Sequence, residues 1–341
     1  MRRQEFSTIA LLALATIIAG CTHANSTLNQ PTTDRVERNA ITDTAPTWQW
    51  YTLTYQCAYE PLAVGHDGDF YFFGPGFTGG TSIVRTDVFG QQASFPISGH
   101  APQGVRSTIT ANPDGNVYAI EEMQDEFHYD LVQVTPEGGV TEFPLPLPSG
   151  DVVTWMTTGS DGNLWVLGTF VGRVTTSGQY TSFEGGPYNS VSNLVRGPDK
   201  NLWFLCLGCS DRLVRIDVLD GSQEGFPIPA DARSLVQGPD GNLYAFGISS
   251  SGMYKISTDG SWVEYPMRKT PSYDYTILAK GPNHRLYWAY NHRLFTWDIR
   301  SQKEQSFAAP ANFGLGISPI ATGVDGRLWI FESDALAATL Q

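Results

Sequence analysis

Residues 238–244, Gly-Pro-Asp-Gly-Asn-Leu-Tyr, form a tight turn followed by the start of an apolar strand. The phrase Gly-x-Asp-Gly, or a variant of it, followed by two or three large apolar or aromatic residues, occurs seven times along the chain. The fourth residues of the seven copies are Gly68, Gly115, Gly162, Lys200, Gly241, His284 and Gly326. Successive copies are 47, 47, 38, 41, 43 and 42 residues apart. A repeat of about forty residues with strand-like content predicts an all-β fold, a seven-bladed β-propeller.

The fifth repeat indicates how one blade is built. Its apolar runs lie at residues 234–237, 242–247, 253–256 and 262–266, and short turns rich in Gly, Asp and Pro separate them. Four such runs joined by hairpin turns are typical of a four-stranded antiparallel sheet. Because no repeat carries a long apolar pattern of helical period, the sequence predicts almost no helix.

The seventh repeat is too short to complete a blade. After the run at residues 328–331, only residues 335–340 remain, which supply a third strand but no fourth. Residues 48–54, which precede the first repeat, form an apolar run without another place in the pattern. We therefore predict that this N-terminal strand completes the last blade and closes a propeller over residues 47–341.

The N-terminus has the pattern of a lipoprotein signal peptide over residues 1–20. Arg2 and Arg3 precede a short apolar run, and small residues lead into Cys21, which predicts lipidation of that cysteine by acyl chains such as palmitate. Residues 21–46 are polar and predict a flexible tether. In a Gram-negative cell, Thr22 rather than Asp after the lipidated cysteine favours the outer membrane, with the propeller facing the periplasm or the cell surface.

The net formal charge of −13 bears on the partners of this chain. An acidic surface is repelled by the phosphates of nucleic acids and by anionic lipid headgroups. The charge therefore excludes nucleic acid as a partner and leaves the lipid anchor as the predicted contact with a membrane.

Three cysteines remain besides Cys21. Cys206 and Cys209 form a C-x-x-C motif between the second and third strands of the fourth repeat, where no helix follows to lower the thiol pKa. One cysteine pair also provides too few ligands for a zinc site. In an exported protein, we predict a local disulfide between the two, which leaves Cys57 unpaired.

The repeats resemble those of the virginiamycin B lyase family, the streptogramin lyases, over most of residues 48–341. The family phrase Gly-Pro-Asp-Gly-Asn-Leu-Trp-Phe is echoed at residues 238–244, its Ile-Gly-Arg-Ile-Thr phrase at 171–178, and its Thr-Glu-Tyr-Pro-Leu-Pro phrase at 141–146. These phrases encode turns and packing, so the resemblance implies the fold more directly than the activity.

The resemblance also implies where catalytic groups would lie. Family members use Mg²⁺ with a His/Glu cluster, whose histidines open inner strands in Pro-His phrases. The nearest matches here begin at Glu60 and Ser318, but Leu62 and Ile320 stand where the histidines would be. The later Glu position of the family is kept only at Glu121 and Glu332. Since elimination needs a proton acceptor, this pattern predicts that the family's lyase reaction is absent.

Candidate binding residues lie in the blade-to-blade connections and in the loops between second and third strands, which share one face of a propeller. They are Gln56 to Glu60, His100, Arg106, Glu121 to Tyr129, Asp151, Tyr188, Asn189, Arg233, Arg268 to Tyr275, Asn291, His292 and Glu332. The loop at residues 121–130 has five carboxylates and His128, which fits a cation such as Mg²⁺ or Ca²⁺. The alternative is a solvated acidic loop.

A second loop on this face combines cations with tyrosines. Arg268, Lys269, Tyr273 and Tyr275, with His292 in the next loop, have the composition of a protein interface. The alternative is a surface loop whose tyrosines pack on the neighbouring blade.

Two functions from different classes are consistent with these patterns. The one that the sequence favours is a membrane-anchored, non-catalytic binding or scaffold module for a protein, peptide or glycan. The alternative is a diverged carbon–oxygen lyase or a hydrolase that acts on a cyclic peptide ester or a related small molecule. That enzyme would use Glu60, Glu121 or His128 together with Mg²⁺ or Ca²⁺.

Overall fold

The computed structural model describes most of the chain from Thr47 onward. The described ranges are 47–53, 62–75, 81–99, 108–123, 128–147, 152–183, 190–248, 252–267, 277–290, 293–308, 320–331 and 335–339. Every regular element within them is a β-strand, and they contain no helix that could span a membrane. The predicted signal peptide, Cys21 and the tether lie outside the described residues.

The strands form seven antiparallel sheets of four strands each. One strand, β1 (Trp48–Thr52), precedes the first repeat. The first blade contains β2 (Ala63–Val64), β3 (Phe70–Pro75), β4 (Thr81–Thr86) and β5 (Gln92–Pro96). The second contains β6 (Ile109–Ala111), β7 (Val117–Glu122), β8 (Tyr129–Val134) and β9 (Val140–Leu145). The third contains β10 (Val153–Thr158), β11 (Leu164–Gly168), β12 (Val171–Val174) and β13 (Tyr180–Phe183).

The remaining blades follow the same plan. The fourth contains β14 (Val191–Arg196), β15 (Leu202–Cys206), β16 (Leu213–Ile216) and β17 (Gln223–Phe226). The fifth contains β18 (Ala232–Gln237), β19 (Leu243–Gly247), β20 (Gly252–Ile256) and β21 (Trp262–Pro266). The sixth contains β22 (Ala279–Gly281), β23 (Arg285–Tyr290), β24 (Arg293–Asp298) and β25 (Lys303–Ala308). The seventh contains β26 (Ile320–Thr322), β27 (Leu328–Phe331) and β28 (Ala335–Thr339) and is completed by β1.

The predicted closure by the N-terminal strand is confirmed. β1 pairs antiparallel with β28, with Trp48 opposite Thr339 and Thr52 opposite Ala335. Trp48 joins an apolar cluster between the sixth and seventh blades, whereas Tyr51 joins the cluster between the seventh and first blades. One short strand therefore contributes to two blade contacts.

Apolar packing joins each blade to the next. The described residues form seven apolar clusters, one at each contact between neighbouring blades. In β15, Leu202 and Phe204 face the third blade, whereas Trp203 and Leu205 face the fifth. Because successive side chains of a strand point to opposite faces, a strand between two blades must be apolar throughout. This explains the continuous apolar runs that follow each turn.

The aspartate of the repeated phrase holds the aromatic residue four positions later. In six blades its carboxylate accepts a hydrogen bond from the buried Tyr hydroxyl or Trp indole at 2.6 to 3.2 Å. The pairs are Asp67–Tyr71, Asp114–Tyr118, Asp161–Trp165, Asp199–Trp203, Asp240–Tyr244 and Asp325–Trp329. A buried polar atom is costly without a partner, so the phrase lets a large ring with a polar atom serve as core.

Candidate functional site

Two faces of the propeller can be distinguished by the connections that they carry. The loop face carries the blade-to-blade connections and the loops between second and third strands. The turn face carries the tight turns between first and second strands and between third and fourth strands. The sequence places its candidate binding residues on the loop face.

Three carboxylates of the second blade lie together at the loop face; we call Glu121, Asp130 and Glu142 the acidic triad. Glu121 lies near the end of β7, directly opposite Asp130 at the start of β8. Glu142 lies in β9 opposite Val132, so it is a diagonal neighbour of Asp130 on the same side of the sheet. One oxygen of each carboxylate lies within 4.8 Å of one oxygen of the other two.

The segment that leaves the first blade is held by this triad. The Gly99 amide donates to Glu121 Oε2 at 2.6 Å. The Ser98 amide donates to Glu142 Oε1 at 3.0 Å, and the Ser98 hydroxyl to Glu142 Oε2 at 2.7 Å. A Cβ atom at Gly99 would lie 2.6 Å from the Glu122 carbonyl oxygen and 2.8 Å from Glu121 Oε2. Glycine is therefore required for the close approach of this segment to the triad.

Glu121 is completely buried, with 0% of its surface exposed. Its Oε1 atom accepts no hydrogen bond. Burial raises the pKa of Glu121 from 4.5 to about 7; the Gly99 amide opposes this, and the negative charges of Glu142 and Asp130 add to it. The expectation of a solvated acidic loop is therefore wrong for Glu121, since its carboxylate is buried against the preceding blade.

The raised pKa of Glu121 predicts a stability that falls as the pH rises. The Glu121 carboxyl binds its proton more tightly in the native state than in the unfolded state. The stability that this proton contributes is therefore lost as the pH rises from about 4.5 to about 7. In protein treated with a chelator, we expect the Glu121→Gln variant not to show this loss. The melting temperature of the variant should therefore exceed that of the wild type by an amount that grows from about pH 4.5 to about pH 7. Thermal melts at a series of pH values measure the difference. The exposed Glu137→Gln is the control, and parallel wild-type and Glu121→Gln curves would contradict the assignment.

An open pocket of about 630 Å³ adjoins the triad on the loop face. Its lining combines apolar and polar side chains and is formed by Ser98, Met123, His128, Tyr129, Asp130, Pro144 and Leu145. Asp130 belongs to both the triad and the pocket. Burial, with the nearby charge of Glu122, raises the pKa of Tyr129 and keeps this phenol neutral at the pocket wall. The pocket thus offers hydrogen-bonding groups beside apolar surface, as ligand sites do.

The structure brings only some of the predicted site residues together. Glu121 is in the triad and the exposed His128 lines the adjoining pocket. Cys206, the last residue of β15, forms a disulfide with Cys209 in the loop that leads to β16. Arg233 is in β18 and donates to the carbonyl oxygens of Ala230 and Ala232. The predicted residues that lie outside the described ones include Cys57, Glu60, His100, Arg106, Asp151, Tyr188, Asn189, Arg268, Lys269, Tyr273, Tyr275, Asn291, His292 and Glu332.

Sequence reasoning missed Glu142, Ser98 and Gly99. Glu142 belongs to the Thr-Glu-Phe-Pro phrase at residues 141–144, one of the phrases that indicate turns and packing. Its carboxylate meets Glu121 only because β7, β8 and β9 are adjacent in one sheet. The sequence signal that could have found Glu142 was the register of the β8–β9 hairpin. Pairing the two strands of this hairpin makes Glu142 and Asp130 diagonal neighbours.

The positions that match the catalytic histidines of the family are part of the core. Leu62 packs against the apolar cluster between the seventh and first blades, and Ile320 belongs to the cluster between the sixth and seventh. Neither side chain can accept a proton, and the acidic triad lies in a different blade. These residues do not fit the Mg²⁺ and His/Glu arrangement that the resemblance implies.

Comparison with solved structures shows the same fold in proteins of different activity. A catalytically inactive virginiamycin B lyase from Staphylococcus aureus with quinupristin is similar at a TM-score of 0.68 and 20% identity, covering 86% of this chain and 99% of that one. An oligogalacturonate lyase in complex with manganese has a TM-score of 0.66 and 13% identity over 91% of this chain and 96% of that one. YCF48 bound to a D1 peptide has a TM-score of 0.62 and 13% identity over 88% of this chain and 98% of that one. At these identities the likeness shows the fold alone.

Sequence comparison gives the family. No curated protein sequence matches the chain. A family model, described as the virginiamycin B lyase family, matches residues 156–338, which is more than half of the chain. This chain belongs to the virginiamycin B lyase family.

Proposed function

We propose that this protein is an exported, lipid-anchored propeller that binds a peptide segment of a partner in the loop-face pocket without catalysing a reaction. The observation that carries the proposal is the replacement of the family's proton acceptors by Leu62 and Ile320, both packed in the core. Neither side chain can act as the base of an elimination, whereas a pocket exists elsewhere on the loop face. Fold alone does not decide function, since propellers serve many purposes.

The pocket lining supports a peptide as the ligand. Met123, Pro144 and Leu145 offer apolar surface for a side chain, and Ser98 and Asp130 offer polar atoms for backbone amides. The pocket is open to solvent, which suits a segment that continues beyond it. YCF48, a similar propeller, has been solved with a peptide bound, which supports this use of the fold without assigning it.

The position of the N-terminal strand is compatible with a lipid anchor. β1 begins at Trp48 opposite Thr339, and the Leu328 amide donates to Thr339 Oγ1 at 3.1 Å. Leu328 follows the tight turn at Asp325, so β1 begins at the turn face. A tether from Cys21 would therefore join the propeller on the face opposite the pocket and leave the loop face accessible.

Photo-crosslinking in cell-envelope preparations tests the proposal. We expect a photo-crosslinking residue at Met123 in the pocket to give a discrete adduct, and the same residue at Glu137 on the turn face to give none. Adding Asp130→Asn to the Met123 variant should lower the adduct yield about tenfold, because a hydrogen bond to a charged group is worth about 1.5 kcal/mol. The same adducts at both positions, or none at Met123, would contradict the proposal.

A diverged metal-dependent lyase or hydrolase is the second candidate. One observation favours it: Glu121, with a pKa of about 7, adjoins a pocket that also contains His128. A carboxylate with such a pKa suits a general base near neutral pH. Incubation of the purified protein with quinupristin and Mg²⁺ separates the two candidates. Ring opening that disappears in Glu121→Gln would overturn the non-catalytic proposal.

A further inference from the structure

We propose that the acidic triad of Glu121, Asp130 and Glu142 is a binding site for one Ca²⁺ ion. The three carboxylates offer oxygens that lie within 4.8 Å of one another. Calcium binds oxygen ligands at about 2.3–2.6 Å, so two ligands on opposite sides of one ion are about 5 Å apart. One ion can therefore contact all three residues without any strand moving.

The buried oxygen of Glu121 is the second, independent observation. Its side chain is 0% exposed, and Oε1 has no hydrogen-bond partner, although nearly all buried polar atoms in proteins have one. Oε2 is already held by the Gly99 amide. A cation supplies the missing partner for Oε1 and makes the burial of this carboxylate favourable.

The described part of the chain provides no basic side chain as a counterion for Glu121 or Glu142. Among the described residues, no lysine or arginine forms an ion pair with Glu121 or Glu142. Their hydrogen-bond donors are the neutral amides of Ser98 and Gly99 and the Ser98 hydroxyl. Carboxylates held this close repel one another, and a divalent ion offsets that repulsion while leaving all three ionised.

Calcium fits these ligands better than magnesium does. Mg²⁺ usually keeps several of its waters and takes one or two carboxylates, whereas Ca²⁺ accepts more protein oxygens in irregular geometry. The three carboxylates of this site exceed the one or two that Mg²⁺ usually takes. Asp130 also lines the open pocket, which gives the ion a route from solvent.

The site has a structural consequence at the contact between the first two blades. Glu121 and Glu142 hold the Ser98–Gly99 segment that leaves the first blade, whereas Asp130 is the second residue of the third strand of the second blade. An ion bound by all three would fix this segment against the second blade and would form one wall of the pocket. Ca²⁺ binding itself does not depend on which ligand the pocket takes.

Calorimetric titration of the chelator-treated chain with CaCl2 alone tests the inference, at a pH above the pKa of Glu121. We expect one ion per chain with a Kd below about 1 mM, the weaker end of calcium sites in extracellular modules. MgCl2 should bind at least about tenfold more weakly, and CaCl2 but not MgCl2 should raise the melting temperature at equal concentration.

Two variants and a matched control locate the site. Asp130→Asn and Glu142→Gln should each weaken Ca²⁺ binding by about tenfold or more, while Glu137→Gln, an exposed residue of the same blade, should leave it unchanged. Melting curves in chelator establish that each variant folds. If one of the two triad variants does not fold, the other alone is sufficient to locate the site. Absence of binding in the wild type, or unchanged binding in folded variants of the triad, would overturn the site. Equal binding of Mg²⁺ would overturn the assignment to calcium.

Discussion

A chain that begins at residue 54 is expected to lose cooperative folding, whereas a chain that begins at residue 47 is expected to keep it. The two differ only by β1 and the residues beside it. Loss of this strand removes the buried side chains of Trp48, Tyr51 and Leu53, which are 2%, 5% and 6% exposed. It also leaves β28 as the unpaired outer edge of a three-stranded closing blade.

The size of this effect follows from apolar burial. Each large apolar side chain contributes roughly 1.5–3 kcal/mol when it is buried. Three such side chains together approach the whole stability of a typical domain, which is about 5–15 kcal/mol. Because Trp48 and Tyr51 pack in different clusters, the deletion damages the contacts of the seventh blade with both of its neighbours.

Urea denaturation followed by tryptophan fluorescence distinguishes the two chains. Trp48→Ala in the longer chain should cost about 3–5 kcal/mol, and Thr52→Ala, at an exposed position of the same strand, should cost less than about 0.5 kcal/mol. A cooperative transition of the shorter chain at the same urea concentration as the longer one would show that the ring does not depend on β1.

The second large effect is expected at Gly178, and Gly162 in the same blade provides a matched control. Both glycines end tight turns with positive φ, +83° and +77° respectively. A Cβ atom at Gly162 would meet nothing within 4 Å, whereas one at Gly178 would lie 2.7 Å from Phe143 Cβ in the second blade. Phe143 lies in β9, so its Cβ cannot move away without the strand.

Gly162→Ala should therefore cost about 1–2 kcal/mol, the strain of an alanine in the left-handed region. Gly178→Ala should cost a further ~1–3 kcal/mol because it forces a side chain into an occupied contact between two blades. Urea denaturation of both variants measures the difference. If the two variants lost equal free energy of unfolding, the second and third blades would have to move apart at Gly178 without destabilising the fold.

The fold could be predicted from the sequence because its information is local and repeated. Each turn phrase specifies a hairpin by itself, and the spacing of the seven phrases specifies the number of blades. The boundaries in the fifth repeat agree closely, since residues 262–266 were predicted as a strand and β21 is Trp262–Pro266. The role of Asp240 was missed, because its bond to the Tyr244 hydroxyl depends on how the ring is buried.

The candidate site was much less accessible to sequence reasoning. Glu121 was identified from a Glu position of the family and, with His128, from a loop rich in carboxylates. Neither signal could distinguish a solvated carboxylate from a buried one. Burial of Glu121 depends on Gly99, which is 22 residues away along the chain and arrives from another blade. Glu142 could be assigned to the site only from the strand pairing in the second blade.

The architecture of this protein follows from its amino-acid sequence alone: seven repeats, a last blade closed by the N-terminal strand, and apolar residues where the family has its bases. Turn chemistry and strand periodicity are short-range properties, so they can be read along the chain. Which carboxylates meet, and which of them is buried, became known from the folded arrangement of the strands. The separation of three carboxylates, and the pKa of the one among them that is buried, depend on adjacent strands and a neighbouring blade, which linear spacing does not specify.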